Sequence, residues 1–313
     1  MANRLANANS APTAQPAPRA GATGVRVFPL QTGTVRVKSA QVAPTRRGLL
    51  RIAGPLLEPA WAEWLPTFAW LIDHPEGPIV VDTGAAAHLL RLPRWHPYFR
   101  RAVRFAIEPE EEVGPRLRAF GLDPRDVRTV VLTHMHIDHD AGLHHFPSSV
   151  PVLADAREIA RAAGLRGHLL GYLPGRWPKG FDPAPLRWEG GPVGAFDCSA
   201  PLTRDGTVFA VPSPGHTPGH ISVVVMDGET AIVLAGDAAY TQAQMMAGWP
   251  DGVGWSEAAQ AATHDHLRAF AAVTPAVFLP THDPQSADRL LARTTVAPTG
   301  FTSRSAQNVS FGA

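Results

Sequence analysis

The chain has 313 residues, 45% of them apolar, enough to bury a substantial core as one large domain or two small ones. Its 28 Lys and Arg nearly balance 27 Asp and Glu, so net charge lends no support to nucleic-acid or anionic-membrane binding. A single cysteine, Cys198, excludes an intramolecular disulfide and a Cys-rich zinc site, and no stretch approaches the roughly 20 apolar residues that span a bilayer.

Residues 1–24 are rich in Ala, Pro and Asn, lack the apolar stretch of a secretory signal, and read as a disordered tail. The default location is the cytoplasm, where Cys198 is expected to act as a small hydrophobe. Apolar and polar residues alternate from Val25 to Val37, which suggests hairpin strands. Phe68–Ile72 and Ile79–Val81 form a second strand pair around the turn residues Pro75-Glu76-Gly77. Val130-Val131-Leu132 and Val150–Leu153 are short strands, the latter followed by a helix from about Ala156 to Ala163.

Gly164 to Gly194 carries many Gly and Pro and no clear period, and a loop of that length suits a pocket wall. Leu173, Trp177 and Phe181 from it, with Trp64, are candidate lining residues. Strands follow at Val208–Val211, Ile221–Met226 and Ala231–Leu234, then a helix from the cap Ser256 to about Val273, then a strand at Ala276–Leu279. Residues 295–313 read as a loose C-terminal tail. Helices among hairpin-like strands fit two mixed sheets covered by helices on the outside.

The chemistry concentrates in Leu132-Thr133-His134-Met135-His136-Ile137-Asp138-His139. Three imidazoles and a carboxylate within six residues, directly after a buried strand, are the ligand types that zinc and similar divalent ions prefer. His134 and His136 point to one side in extended backbone, whereas Asp138 and His139 converge only if the chain turns, as a helix starting near Asp140-Ala141-Gly142 allows. His264 and His266, two apart in a helical stretch, face different ways and offer no such site.

This His-x-His-x-Asp-His motif resembles the signature of the metallo-β-lactamase superfamily. Four further stations follow the family's order: Asp82-Thr83-Gly84, Pro214-Gly215-His216, Ala235-Gly236-Asp237 and Pro280-Thr281-His282. The resemblance covers about Val25 to Leu291. It implies an α/β fold, an αββα sandwich of two mixed β-sheets flanked by helices, with one hydrolase domain over 25–294. It also implies two divalent metal ions, zinc by preference with iron, cobalt or manganese compatible. His134, His136 and His216 would hold one ion, Asp138, His139 and His282 the other, and Asp237 would bridge them. Asp82 would orient a ligand histidine, His220 would be structural, and His144 and His145 would lie outside the ligand set.

Tyr240, three residues after Asp237, and Asp283 after His282 are similar to the N-acyl-homoserine lactonases within that superfamily. Ala141, where many relatives carry Gly, and Ile137, where some lactonases carry an aromatic, depart from the pattern. The implied reaction is lactone ring opening by hydroxide from the metal centre, with Tyr240 donating to the carbonyl oxygen. Asp138 or a metal-bound water would return a proton to the leaving group, and Asp237 would serve both ions. The expected partner is a small lactone, with no nucleic acid or membrane, and a homodimer is compatible. The alternative is another small-ester or thioester hydrolase of the same fold, glyoxalase II-like or organophosphate hydrolase-like.

Overall fold

The computed structural model describes residues 24–44, 49–93 and 95–296. The expected tails lie outside the described residues, up to residue 23 at one end and from 297 at the other. The C-terminal boundary at 295 is slightly early, because Val296 is buried and its amide donates to Ala276 O at 2.8 Å.

The first sheet contains β1 (Arg26–Val37), β2 (Leu65–Asp73), β3 (Ile79–Val81), β4 (Val103–Ala106), β5 (Thr129–Val131), β6 (Val152–Ala154) and β7 (Ala184–Pro185). Their order is β4-β1-β2-β3-β5-β6-β7, antiparallel from β4 to β3 and parallel from β3 to β7. The second contains β8 (Ala200–Pro201), β9 (Val208–Pro212), β10 (Ile221–Asp227), β11 (Thr230–Gly236) and β12 (Ala276–Pro280), ordered β12-β11-β10-β9-β8 with only β11–β12 parallel. Both sheets are mixed.

Period-two alternation sorts each strand between two cores. Phe68, Trp70 and Ile72 of β2 meet Ile221, Val223 and Val225 of β10 in the layer between the sheets. Ala69 and Leu71 face the other way, against Val113 and Leu117 of the helix Val113–Ala119. Val224 of β10 likewise faces Leu267 and Phe270 of the helix Glu257–Val273. The layers are therefore helix, sheet, sheet, helix. Leu234 is fully buried between the sheets, so Leu234→Ala is expected to cost about 2–5 kcal/mol.

Two expectations need correction. The hairpin over Val25–Val37 is one twelve-residue strand, β1, because the chain bulges between Gln31 and Thr34 instead of turning. Gly33 sits there at φ 86°, and a Cβ would come within 2.8 Å of Ile107, so the position reads as turn chemistry but serves a bulge. Residues 164–194 are not one loop: they include the helix Gly164–Leu169, a tight helical turn at Pro174–Arg176, and edge strand β7.

Candidate metal centre

Strand ends at one edge of the sandwich deliver the candidate ligands. Asp82 follows β3, His134 and His136 follow β5, His216 follows β9, Asp237 follows β11 and His282 follows β12. Backbone bonds tie the two sheets together at this edge, where Ile221 N donates to Thr133 O and Phe68 N to Thr281 O, and Thr281 N donates to Gly236 O within the second sheet. Asp138 and His139 sit on the helical turn Ile137–Asp140, which brings their neighbouring side chains back over the strand ends. Gly236 has φ 53°, and a Cβ there would lie 2.6 Å from Thr133 Oγ1, so only glycine lets Asp237 reach the centre.

The seven candidate side chains come together in overlapping groups: His134, His136 and His216; His134, His139 and Asp237; Asp138, His139 and His282. His136 Nδ1 lies 3.1 Å from His134 Nε2 and 3.0 Å from His216 Nε2. Asp237 Oδ2 is 3.6 Å from His216 Nε2, and its Oδ1 is 3.4 Å from His139 Nε2 and 3.5 Å from His282 Nε2. Asp138 completes the arrangement, 3.5 Å from His282 Nε2 and 3.9 Å from His139 Nε2.

Outer partners decide which ring nitrogen faces inward. His139 Nδ1 donates to Asp82 Oδ2 at 2.8 Å, His216 Nδ1 to Asp251 Oδ2 at 2.8 Å, and His282 Nδ1 to Pro66 O at 2.9 Å. Thr133 Oγ1 donates to Asp82 Oδ2, so it accepts from His134 Nδ1 at 3.2 Å. Four imidazoles therefore turn an Nε2 lone pair toward one another. Asp82 adopts φ 58°, a left-handed backbone costing about 1–2 kcal/mol, and uses it to hold Thr133 and His139 together.

This arrangement fits a divalent cation and little else. Three nitrogens bound tetrahedrally at 2.0–2.1 Å would be roughly 3.3 Å apart, close to the 3.0 and 3.1 Å found. His139 Nε2 and Asp237 Oδ1 are buried and make no hydrogen bond. Burial, reinforced by the neighbouring imidazoles, pushes His134 and His136 well below the usual histidine range. Burial also opposes charge on His139 and His282, but Asp237 outweighs it and raises both; Asp251 does the same for His216. Against the pull of burial, His282 and His139 hold the Asp237 carboxyl well below its ordinary value.

His220 lies outside the convergent set. Its Nε2 accepts from the Asp237 amide at 3.0 Å and its Nδ1 meets Ser213 Oγ at 2.9 Å, so it fixes the backbone beneath Asp237. Burial drops its pKa to about 3, which keeps that acceptor available. His264 is buried and donates to Ala238 O at 2.7 Å, while His266 rests its ring against Phe196. Cys198 is half-buried and free, not a core residue.

A cavity of about 440 Å³ opens over His136, Asp138, His216, Asp237 and His282. Tyr240 lines it, stacked on His282 with ring centroids 5.5 Å apart, and Val35, Val37, Phe99 and Phe105 supply an apolar wall. Ile137 also lines it, whereas Met135 is buried in the helix-covered core. The four lining candidates Leu173, Trp177, Phe181 and Trp64 do not line this cavity. Leu173 packs in the cluster behind Ile137, Trp177 and Phe181 pack on the first sheet's helix layer, and Trp64 points its exposed ring toward Arg36. Their segment still contributes, through Leu170, Gly171 and Tyr172.

Three residues escaped sequence reasoning. Gln41 Nε2 donates to Tyr240 Oη at 2.7 Å, and Tyr98 Oη donates to Gln41 Oε1 at 2.9 Å. Asp251 anchors His216. None stands in a motif; only their polarity near apolar segments was there to be seen.

The sequence profile of the metallo-beta-lactamase superfamily matches residues 62–290. The chain is 31% identical over 227 residues to the N-acyl homoserine lactonase AttM of Azorhizobium caulinodans, covering 70% of this chain and 78% of that protein. It shares its fold with an N-acyl homoserine lactone hydrolase solved with the product N-hexanoyl-L-homoserine at its catalytic metal centre. That match has a TM-score of 0.67 at 18% identity, over 84% of this chain and 94% of the other. The dizinc quorum-quenching lactonase AidC is similar at a TM-score of 0.58 and 17% identity, over 85% and 89%.

Proposed function

The chain belongs to the metallo-beta-lactamase superfamily, and from that membership we propose that it opens the lactone ring of N-acyl homoserine lactones at a centre of two divalent ions. The observation that carries this reading is Tyr240: a neutral phenol stacked on His282 at the floor of an apolar cavity beside the candidate ligands. His134, His136 and His216 would hold one ion and Asp138, His139 and His282 the other, with Asp237 shared. The dizinc lactonase of the same fold supports zinc. Bound ions would supply Lewis acidity and lower the pKa of water enough to give hydroxide near neutral pH.

The chain's own groups account for the remaining steps. Burial, helped by the Asp237 charge, holds the Tyr240 phenol well above its usual pKa, so it keeps its proton. Gln41 donates to the Tyr240 oxygen, which leaves the Tyr240 O–H free to donate to a carbonyl oxygen as it gains negative charge. Asp138, 17% exposed, is a candidate ligand open to the cavity and is placed to return a proton to the leaving alkoxide. Val35, Val37, Phe99 and Phe105 would bury the acyl chain and exclude water from it.

A substrate panel at matched metal content tests the reading: short- and long-chain N-acyl homoserine lactones, other lactones, a phosphotriester and S-lactoylglutathione. The acyl homoserine lactones should give the highest kcat/KM. Preference for the thioester or the phosphotriester would replace this reading with the corresponding hydrolase.

A further inference from the structure

Outside the seven candidate ligands, Glu112, His144 and His145 bring three more ligating atoms within 4.8 Å of one another. Glu112 precedes the helix Val113–Ala119, and the two histidines close the helical turn Ala141–His145, which continues directly from Asp138 and His139. The carboxylate is preset: Oε1 accepts from Ala87 N at 2.9 Å, which aims Oε2 at both rings. The His145 ring fits because residue 114 is glycine; a Cβ there would stand 2.5 Å from His145 Nδ1.

Hydrogen-bond polarity shows what the cluster lacks. His144 Nδ1 lies 3.0 Å from Ala141 O, which can only accept, so that nitrogen carries the proton. Its Nε2 lies 3.1 Å from Glu112 Oε2 with no hydrogen bond between them, so that lone pair stays available to a cation. His145 Nε2 already donates to the same oxygen at 2.6 Å. A cation that displaces the His145 Nε2 proton to solvent would be met by all three atoms. Although burial pulls the Glu112 carboxyl upward, the Ala87 amide and His145 hold it below its usual range, so it is available as an anion.

A comparison cluster shows the difference. His74 Nδ1 accepts from Glu76 N, and its Nε2 then donates to Asp205 Oδ2 and Thr207 Oγ1, so one neutral tautomer satisfies every contact. Nothing there asks for a cation.

We infer that Glu112 Oε2, His144 Nε2 and His145 Nε2 bind a third divalent transition-metal ion of the zinc class, separate from the main centre. Two imidazoles and one carboxylate are a zinc donor set, and the 44% exposed His144 side chain leaves access for the ion and a fourth, water ligand. The ion clamps the start of the Val113–Ala119 helix to the turn that carries Asp138 and His139 onward, and so braces two ligands it never touches. The inference holds whether the main centre takes one ion or two.

Zinc alone is the probe. Full-length parent, His144→Ala, Glu112→Gln and His216→Ala are dialysed against buffered free Zn²⁺ at neutral pH, and zinc per chain is measured as free zinc rises. The parent should bind one more ion than His144→Ala, or that ion should weaken in the variant by at least on the order of a hundredfold, beyond the loss from an outer partner. Glu112→Gln should match His144→Ala, whereas His216→Ala should keep this ion and lose zinc elsewhere. If His144→Ala binds as many ions as the parent with unchanged affinity, there is no third site; because His144 is surface-exposed, that variant decides the matter even if Glu112→Gln fails to fold. Loss of zinc in His216→Ala only would point to the main centre alone.

Discussion

Asp251 Oδ2 accepts from His216 Nδ1 at 2.8 Å, and that bond determines which face of the imidazole meets the other candidate ligands. The carboxylate is itself rigidly held: Val253 N donates to Oδ1 and Gln260 Nε2 to Oδ2, both at 2.8 Å. Asp251→Asn keeps the shape and weakens the charge-assisted bond that orients His216. Metal affinity measured by chelator competition should fall roughly ten- to a hundredfold, with the fold intact by circular dichroism. Unchanged affinity would show that packing alone positions His216.

What the sequence made legible, and what it hid, follows from the distance between partners. The ligand run His134–His139 is local and sits beside a buried strand, so residue type and spacing expose it. Asp251 lies 35 residues from His216, and Gln41 lies 199 from Tyr240; no spacing rule joins such pairs before the sheets bring them together. His282 is oriented by the backbone carbonyl of Pro66, a partner with no side-chain signature at all. The same limit explains the lining residues: large aromatics in 164–194 suggested a pocket wall, but Trp177 donates its indole N–H to Asp140 Oδ2 at 2.6 Å and is thereby turned into the helix layer. Strands β2 and β3 were legible because a turn with Gly77 at φ 116° closes them locally, whereas the bulge in β1 uses similar residues to a different end.

The two tightest zinc equivalents should belong to the main centre. At limiting free zinc, the parent should hold two ions per chain by elemental analysis. His136→Ala and His216→Ala should lose one of them and His282→Ala the other, while Asp237→Ala should disturb both and remove most activity. A parent that stays near one ion under these conditions would overturn the binuclear reading.

His264 should make the fold acid-sensitive. Burial lowers its pKa, and its Nε2 donates to Ala238 O while Nδ1 is buried without a hydrogen bond. The unfolded chain therefore takes up a proton near the ordinary value of about 6.5, before the folded chain does. Stability is full above that pH and falls as pH drops below it, by at most about 1.4 kcal/mol per pH unit for one proton. His264→Gln can still donate to Ala238 O and cannot titrate. Urea denaturation between pH 7.5 and 5.5 should show a shallower fall in the variant; parallel curves would place the acid sensitivity elsewhere.

Tyr240→Phe separates the lactonase reading from the metal centre. The substitution keeps the ring stacked on His282 and removes only the hydroxyl that Gln41 holds through its oxygen. Zinc content and thermal stability should therefore match the parent. Losing one donor to a developing oxyanion typically costs about 3 kcal/mol, or on the order of a hundredfold in rate. A bound ion would polarise the same carbonyl oxygen, so a loss of roughly tenfold in kcat/KM for an N-acyl homoserine lactone is the expected result. Gln41→Leu leaves the phenol but frees its orientation, so it should lower kcat/KM by less than Tyr240→Phe and leave zinc content alone. If Tyr240→Phe hydrolyses lactones as fast as the parent with matched metal, the phenol only packs against His282. The candidate ligands would be untouched by that result, and the choice of lactone over other esters would lose its structural basis.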